Sequence, residues 1–266
     1  MTSSALDLLL LAWVLAAGVM ALLWLLHFPL RNAAIVDFGW AFLLPTIAIL
    51  YAFMGSGYAP RRWLFAGMAA VWGYRLAFYL LFTRILGHKE EGRYTELRRS
   101  WETRVSAKFL MFFQGQALLD VFLSLPFLLA ALDPRPGLRW TEHAGIAIWL
   151  AAFLGEAAAD GQLQAFKSNP ANRGKTCRAG LWNYSRHPNY FFEWLIWVAY
   201  AVYAIGAPRG WLALVCPALM IFFLFRVTGI PATEAQALRS RAEEYRAYQQ
   251  TTSAFVLWFP KRPKAE

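Results

Sequence analysis

Seven blocks of apolar residues, each close to the roughly 20 that a helix needs to cross a bilayer core, run through this chain of 266 residues. Hydrophobic residues make up 59% of it, more than an ordinary soluble domain carries. The blocks predict spans at roughly 5–27, 33–54, 62–84, 108–131, 142–165, 190–206 and 210–229. The expected fold is all-α: a polytopic membrane protein of about seven transmembrane helices with a cytoplasmic C-terminal helix. No linker or repeat divides it, so residues 1–266 read as a single membrane domain. The first block lacks a small-residue cleavage site with the usual flanks and reads as a retained span.

The net charge of +10 invites a nucleic-acid partner, but the placement of the charges argues for none. With the N-terminus outside, 20 cations fall on the cytoplasmic side and five outside (Arg61, Arg62, Arg135, Arg139, Arg209), with Arg75 left inside a span. That is the positive-inside bias, so topology accounts for the charge and sets the C-terminus in the cytoplasm. Absence of targeting features is compatible with a bacterial inner membrane. The two cysteines, Cys177 and Cys216, sit in a basic loop and a span and predict no disulfide. Four scattered histidines give no metal-ligand spacing, so no metal is expected.

Between the spans, Arg84 to Lys108 is too charged for lipid and predicts a short surface helix, with Tyr94 and Trp101 as interfacial anchors. Asp133-Pro-Arg-Pro-Gly137 reads as a turn. The segment from Ile230 to Tyr248 predicts a helix lying across protein or interface, with Pro231 near its start and Thr233 as its cap.

The chemistry concentrates between Glu156 and Glu193. Glu156 and Asp160 share one helix face, which Gln164 extends by a turn. Two carboxylates so close repel unless hydroxyls or cations face them, and ribose hydroxyls or a carboxamide are suitable donors. Lys167, Arg173, Lys175 and Arg178 follow within twelve residues, broken by Asn169, Pro170 and Gly174. Such a loop wraps phosphates through side chains and backbone N–H groups, although no P-loop or Rossmann glycine pattern is present. In Arg186-His187-Pro188-Asn189-Tyr190, Pro188 fits the first turn of a helix, which sets His187 and Asn189 at its N-terminus. Glu193 follows one turn deeper on the Asn189 face. Together these residues point to a pocket for a phosphate-bearing cofactor. A wetted helix end and a plain cytoplasmic loop are the bland readings.

Asp37, in A-A-I-V-D-F-G-W, lies early in the second span. Such an aspartate is protonated, paired with another helix or lining a wet cavity, and Arg75 in W-G-Y-R-L is a candidate partner. Gln114, Gln116 and Asp120 are further polar groups for such a cavity.

E-A-A-A-D-G-Q-L-Q-A-F-K, N-R-G-K-T-C, G-L-W-N-Y-S-R-H-P-N-Y-F-F-E-W and the terminal T-E…Y-R-A-Y resemble the steroid 5α-reductase-like membrane family, in its bacterial DUF1295 branch. Weaker likeness (V-D-F-G-W, R-Y-T-E-L-R, F-F-Q-G-Q) reaches back to about residue 33. The resemblance implies a seven-helix fold, a cytoplasm-facing NADPH site and lateral entry for a lipophilic substrate. Carried over by position, Glu156 and Asp160 contact the nucleotide and Lys167 its phosphates. Asn189 and Glu193 hold the nicotinamide carboxamide, and Tyr245 closes the pocket from the C-terminal helix. Lys175, Tyr184, Arg186 and His187 are wall residues.

The chain also departs from the family pattern. Asp37 stands alone where steroid reductases carry a Gln-Glu pair, Trp72 takes the tyrosine position ahead of Arg75, and Phe192 replaces a glycine before Glu193. The expected activity is NADPH-dependent reduction of a conjugated C=C bond in a sterol-, isoprenoid- or fatty-enone-like substrate. Asp37, protonated, or Tyr74 would polarise the carbonyl. Two rivals stand beside it. One is an S-adenosylmethionine-dependent methyltransferase of isoprenylcysteine or phospholipid type, which shares R-H-P-x-Y and the E…Y…Y ending. The other is a non-catalytic lipid-binding protein that retains the nucleotide pocket. Substrate identity and oligomeric state are not legible in these residues.

Overall fold

The computed structural model describes residues 4–90, 92–227 and 229–261. Arg262 and Lys264 of the expected basic tail lie outside them. The described residues form ten α-helices and no strand: α1 (Ala5–Leu30), α2 (Ile35–Met54), α3 (Ala59–Leu80), α4 (Gly92–Trp101), α5 (Val105–Leu123), α6 (Leu125–Ala131), α7 (Trp140–Ser168), α8 (Pro188–Ala204), α9 (Val215–Arg226) and α10 (Ile230–Thr251). The architecture is that of a polytopic helical membrane protein. Among the described residues, six helical stretches, starting at Ala5, Ile35, Ala59, Val105, Trp140 and Gly210, are long and apolar enough to cross a membrane. The block expected at 190–206 forms α8, whose 17 residues rise about 25 Å, at the lower end of the length that crosses a bilayer core.

The chain folds as two compact units, Met1–Trp140 with Ala204–Ala213, and Thr141–Tyr203 with Leu214–Glu266. In the first, Ser4 caps α1 in a reciprocal box with Asp7. Trp24 donates to the Ser106 carbonyl at 2.9 Å and Gln114 to the Ala17 carbonyl at 3.2 Å, which ties α1 to α5. Gln114 therefore serves helix packing. α2 and α3 share the most extensive contact, made close by Gly73, where an added Cβ would meet the Pro45 ring at 2.7 Å. The block expected at 108–131 breaks at Ser124 into α5 and α6, with Pro126 in the first turn of α6.

After α6, Asp133 is fully buried, and its carboxylate accepts from Arg135 at 2.8 Å and Arg139 at 2.7 Å. Fully buried Arg61, in the first turn of α3, donates to the carbonyls of Asp133, Arg135 and Gly137 at 3.1, 2.8 and 2.6 Å. The expected turn is thus a clasp around one guanidinium. Burial works against the Asp133 carboxylate, but the hydrogen bonds from Arg135 and Arg139 prevail and hold its pKa at about 2.

The surface helix expected after Arg84 is α4, with one correction. Tyr94 is buried at 2% exposure and donates to Asp37 Oδ1 at 2.8 Å, so it anchors α2 and not the interface. Trp101 packs edge-on against Phe109.

In the second unit, α7 runs into a loop with two short 3-10 turns, Pro170–Asn172 and Gly180–Asn183, before α8 starts at Pro188. Leu224, Ile230 and Phe255 form a core with Tyr190, Phe191, Trp194 and Ile221. α10 starts at Ile230 with Pro231 in its first turn, but no side chain caps it. Thr233, the expected cap, instead meets the Tyr190 hydroxyl at 3.1 Å.

Candidate functional site

The last three turns of α7 carry the expected acidic face. Glu156 and Asp160 are buried, at 2% and 8% exposure, while Gln164 and Lys167 are exposed. Glu156 lies twelve residues before the end of α7 at Ser168, about 18 Å along the axis. One residue earlier, Gly155 receives the Phe192 ring: a Cβ built there would come within 2.3 Å of it. The residue that departs from the family pattern is therefore a packing knob between α7 and α8.

Beyond α7 the chain builds a cationic cavity of about 170 Å³. Among the described residues, Lys167, Arg173, Lys175 and Arg241 line it with Phe166 and Gly174, and no carboxylate does. Gly174 sits at φ +80°, a left-handed turn that glycine adopts without a steric penalty. α10 closes the other side. Its backbone breaks at Arg241 (φ −151°, ψ 50°), whose guanidinium donates to the Lys175 carbonyl at 2.7 Å. Glu244 accepts from the Thr176 N–H at 2.9 Å, and Arg178 donates to the Glu244 carbonyl at 2.8 Å. Four cations without a lining carboxylate suit an anion, and the volume suits one phosphate group rather than a whole dinucleotide. Cys177 also lines the cavity, and burial pushes its thiol pKa up, so it is no ready nucleophile.

A second cluster forms where α8 begins. Glu234 of α10 accepts from Arg186 Nε at 2.7 Å and from Gln249 at 2.7 Å, with His187 Nε2 at 3.3 Å and the Tyr245 hydroxyl at 3.4 Å. Arg186 also donates to the carbonyls of Gln249 and Thr252. Burial opposes the Glu234 charge, but the hydrogen bonds from His187 and Arg186 and the Arg186 charge outweigh it and hold the pKa at about 2. Burial, and then the Glu234 charge, push Tyr245 well above the usual phenol range.

Two expected wall residues, Arg186 and His187, and Tyr245, expected to close the pocket, thus converge on a carboxylate that sequence reasoning did not single out. Its signal is present. Glu234 stands eleven residues before Tyr245, a spacing that puts the two on one face of a regular helix, although the break at Arg241 lies between them.

Asn189 and Glu193 are half-buried, one turn apart on α8. Lys175 belongs to the cationic cavity. Tyr184 joins neither cluster: it is 38% exposed, edge-on to Phe259, and its carbonyl accepts from the Trp258 N–H at 3.0 Å.

Asp37 and Tyr74 belong to the first unit. Asp37 pairs with Arg93 and accepts from Tyr94, so its carboxylate is seen as an acceptor rather than as the donor the sequence suggests. Thr46 donates to the Phe42 carbonyl at 2.7 Å and lies 3.2 Å from the Tyr74 hydroxyl. With the Thr46 proton so used, Tyr74 is the donor of that second bond. Trp72 is fully buried and edge-on to Trp40. Both cysteines are buried and unpaired with each other.

Among known families, the model described as "Protein of unknown function (DUF1295)" matches residues 23–252. No curated protein and no solved structure matches the chain.

Proposed function

The chain belongs to the DUF1295 family, and from that premise we propose an integral membrane reductase of the steroid 5α-reductase-like kind. It reduces a conjugated C=C bond of a lipophilic substrate with NADPH, and its C-terminal side faces the cytoplasm of a bacterial inner membrane. The observation that carries this reading is the cationic cavity, where Lys167, Arg173, Lys175 and Arg241 meet with no carboxylate in the lining among the described residues. Such a cavity fits the phosphate that distinguishes NADPH from NADH.

NADPH supplies the hydride. The chain's own residues bind and orient. Glu156 and Asp160, buried one turn apart on α7, accept from ribose hydroxyls. Asn189 and Glu193 offer an acceptor and donors to a carboxamide. Glu234 fixes the rotamers of Arg186, His187 and Tyr245 beside the start of α8. Polarisation of the substrate carbonyl falls to Tyr74, or to Asp37 once protonated. Tyr74 must exchange its bond to Thr46 for one to substrate. Because both candidate donors are already engaged, a second reading stands: a lipid-binding protein that holds the nucleotide without turnover.

The test is a titration of detergent-solubilised protein with NADPH, NADH and S-adenosylmethionine. NADPH is expected to bind more tightly than NADH, by about tenfold or more for a charge-assisted phosphate contact. Lys175→Glu removes that preference, and Asp160→Ala and Glu193→Ala weaken both nucleotides. Tight S-adenosylmethionine binding without NADPH binding moves the chain to the methyltransferases. NADPH binding with no oxidation across a panel of lipophilic enones favours the second reading.

A further inference from the structure

After α10 ends, residues 252–261 return as a strap along the segment that leads into α8. Ser253 bridges Ser185 in parallel, the Arg186 N–H donates to the Ser253 carbonyl at 2.8 Å, and the Trp258 N–H donates to the Tyr184 carbonyl at 3.0 Å. The Ser185 hydroxyl donates to the Phe255 carbonyl at 2.8 Å. Phe255 points inward at 6% exposure, against Phe191 and Trp194 in the first turns of α8 and Phe225 at the end of α9. This wedge fixes the depth of the strap. It lies where two apolar helices begin and end, which is the level of a membrane–water boundary.

The next residues turn the other way. Val256, Trp258 and Phe259 are 50%, 66% and 77% exposed within four positions. Beside them is a cavity of about 320 Å³, edged by Thr251, Thr252, Ser253, Trp258, Phe259 and exposed Lys261. The Ser253 hydroxyl and the Lys261 ammonium offer donors to an anionic headgroup, while the Thr251 hydroxyl is already given to the carbonyls of Ala247 and Tyr248. Indole and phenyl rings at this depth favour the interfacial region of lipid. Arg186 borders the same cavity, but its charge is already matched by Glu234. Among the described residues, Lys261 leaves the cavity lining positive.

We propose that the strap is a binding site for an anionic phospholipid. The headgroup phosphate sits against Lys261 and the Ser253 hydroxyl, while Trp258 and Phe259 rest among the glycerol and upper acyl groups. The lipid holds the strap in place, and through the strap it holds the Arg186-His187 corner.

The test uses the full chain in nanodiscs, with the Trp258 signal taken as the difference between wild type and Trp258→Phe. Brominated phosphatidylglycerol is expected to quench that signal more than brominated phosphatidylcholine. Lys261→Glu is expected to reduce the preference by roughly fivefold, the effect of one interfacial cation. In the unsubstituted protein, amides 253–261 should exchange more slowly in discs containing phosphatidylglycerol than in phosphatidylcholine alone. Quenching by neither lipid, equal quenching by both, or loss of the preference on adding inorganic phosphate would each overturn the proposal, as would identical exchange in the two discs.

Discussion

The Phe192 ring lies against the bare Cα of Gly155, so close that a Cβ there would come within 2.3 Å of the ring. The two residues immediately precede Glu193 and Glu156, so this contact sets the spacing between the helices that carry those acids.

Gly155→Ala is therefore expected to destabilise the fold by about 1–3 kcal/mol, the usual penalty for overpacking. Combining it with Phe192→Ala, which removes the obstructing ring, should recover part of that loss, with a coupling of at least about 0.5 kcal/mol in thermal unfolding of the four variants. Strict additivity would mean that the ring is not the obstacle.

Glu234 makes a pH-dependent contribution whose sign follows from its depressed pKa. The folded chain binds its proton less readily than the unfolded one does. Stability from this cluster is then complete above the ordinary value of 4.5 and is lost as pH falls toward about 2. Glu234→Gln should lower stability at neutral pH by about 1.5–3 kcal/mol, the scale of hydrogen bonds to a charged group. The gap from wild type should narrow as unfolding is measured from neutral to about pH 3. A gap that widens on acidification would show that another group controls the cluster.

How much of this was legible beforehand follows from which forces are local. Apolar runs predict α1, α2, α3 and α7 within a few residues, because length and hydropathy decide a membrane helix with little help from tertiary contacts. The step at Ser124 is harder to read, since a proline in the first turn of α6 is compatible with a bend or with a new helix. Lys167 and Lys175 are legible from loop composition as members of one cationic cluster, and both line the cavity. Arg241 is not, because it reaches the same cavity through a break in a helix 66 residues further on. Tyr94 shows the opposite failure: composition suits an interfacial anchor, while its hydroxyl is drawn inward by Asp37 of another helix.

Arg61 concentrates a prediction in one side chain. It is fully buried and satisfies three carbonyls beside Asp133. Arg61→Met leaves those acceptors and a buried carboxylate with less support, and should cost about 3–5 kcal/mol. Arg61→Lys should fall between, since a single ammonium does not reproduce the guanidinium fork. Arg135, half-exposed on the same carboxylate, should cost no more than about 1 kcal/mol when changed to alanine. Equal melting temperatures for Arg61→Met and Arg135→Ala would remove Arg61 from the centre of the clasp.

Asp37 receives two partners from α4, and their burial ranks them. The ion pair with Arg93 has side chains 37% and 24% exposed, where water screens the attraction to about 1 kcal/mol or less. The Tyr94 hydroxyl is donated from a residue that is 2% exposed, so its bond to the carboxylate should contribute about 1.5–3 kcal/mol. Tyr94→Phe should therefore loosen α4 more than Arg93→Ala does, although the second removes a full charge. Limited proteolysis between residues 84 and 108, read beside thermal unfolding, checks the order. Faster cleavage in Tyr94→Phe is the expected result. If Arg93→Ala is cleaved faster, the exposed ion pair governs the docking of α4, and the phenol is only a packed ring.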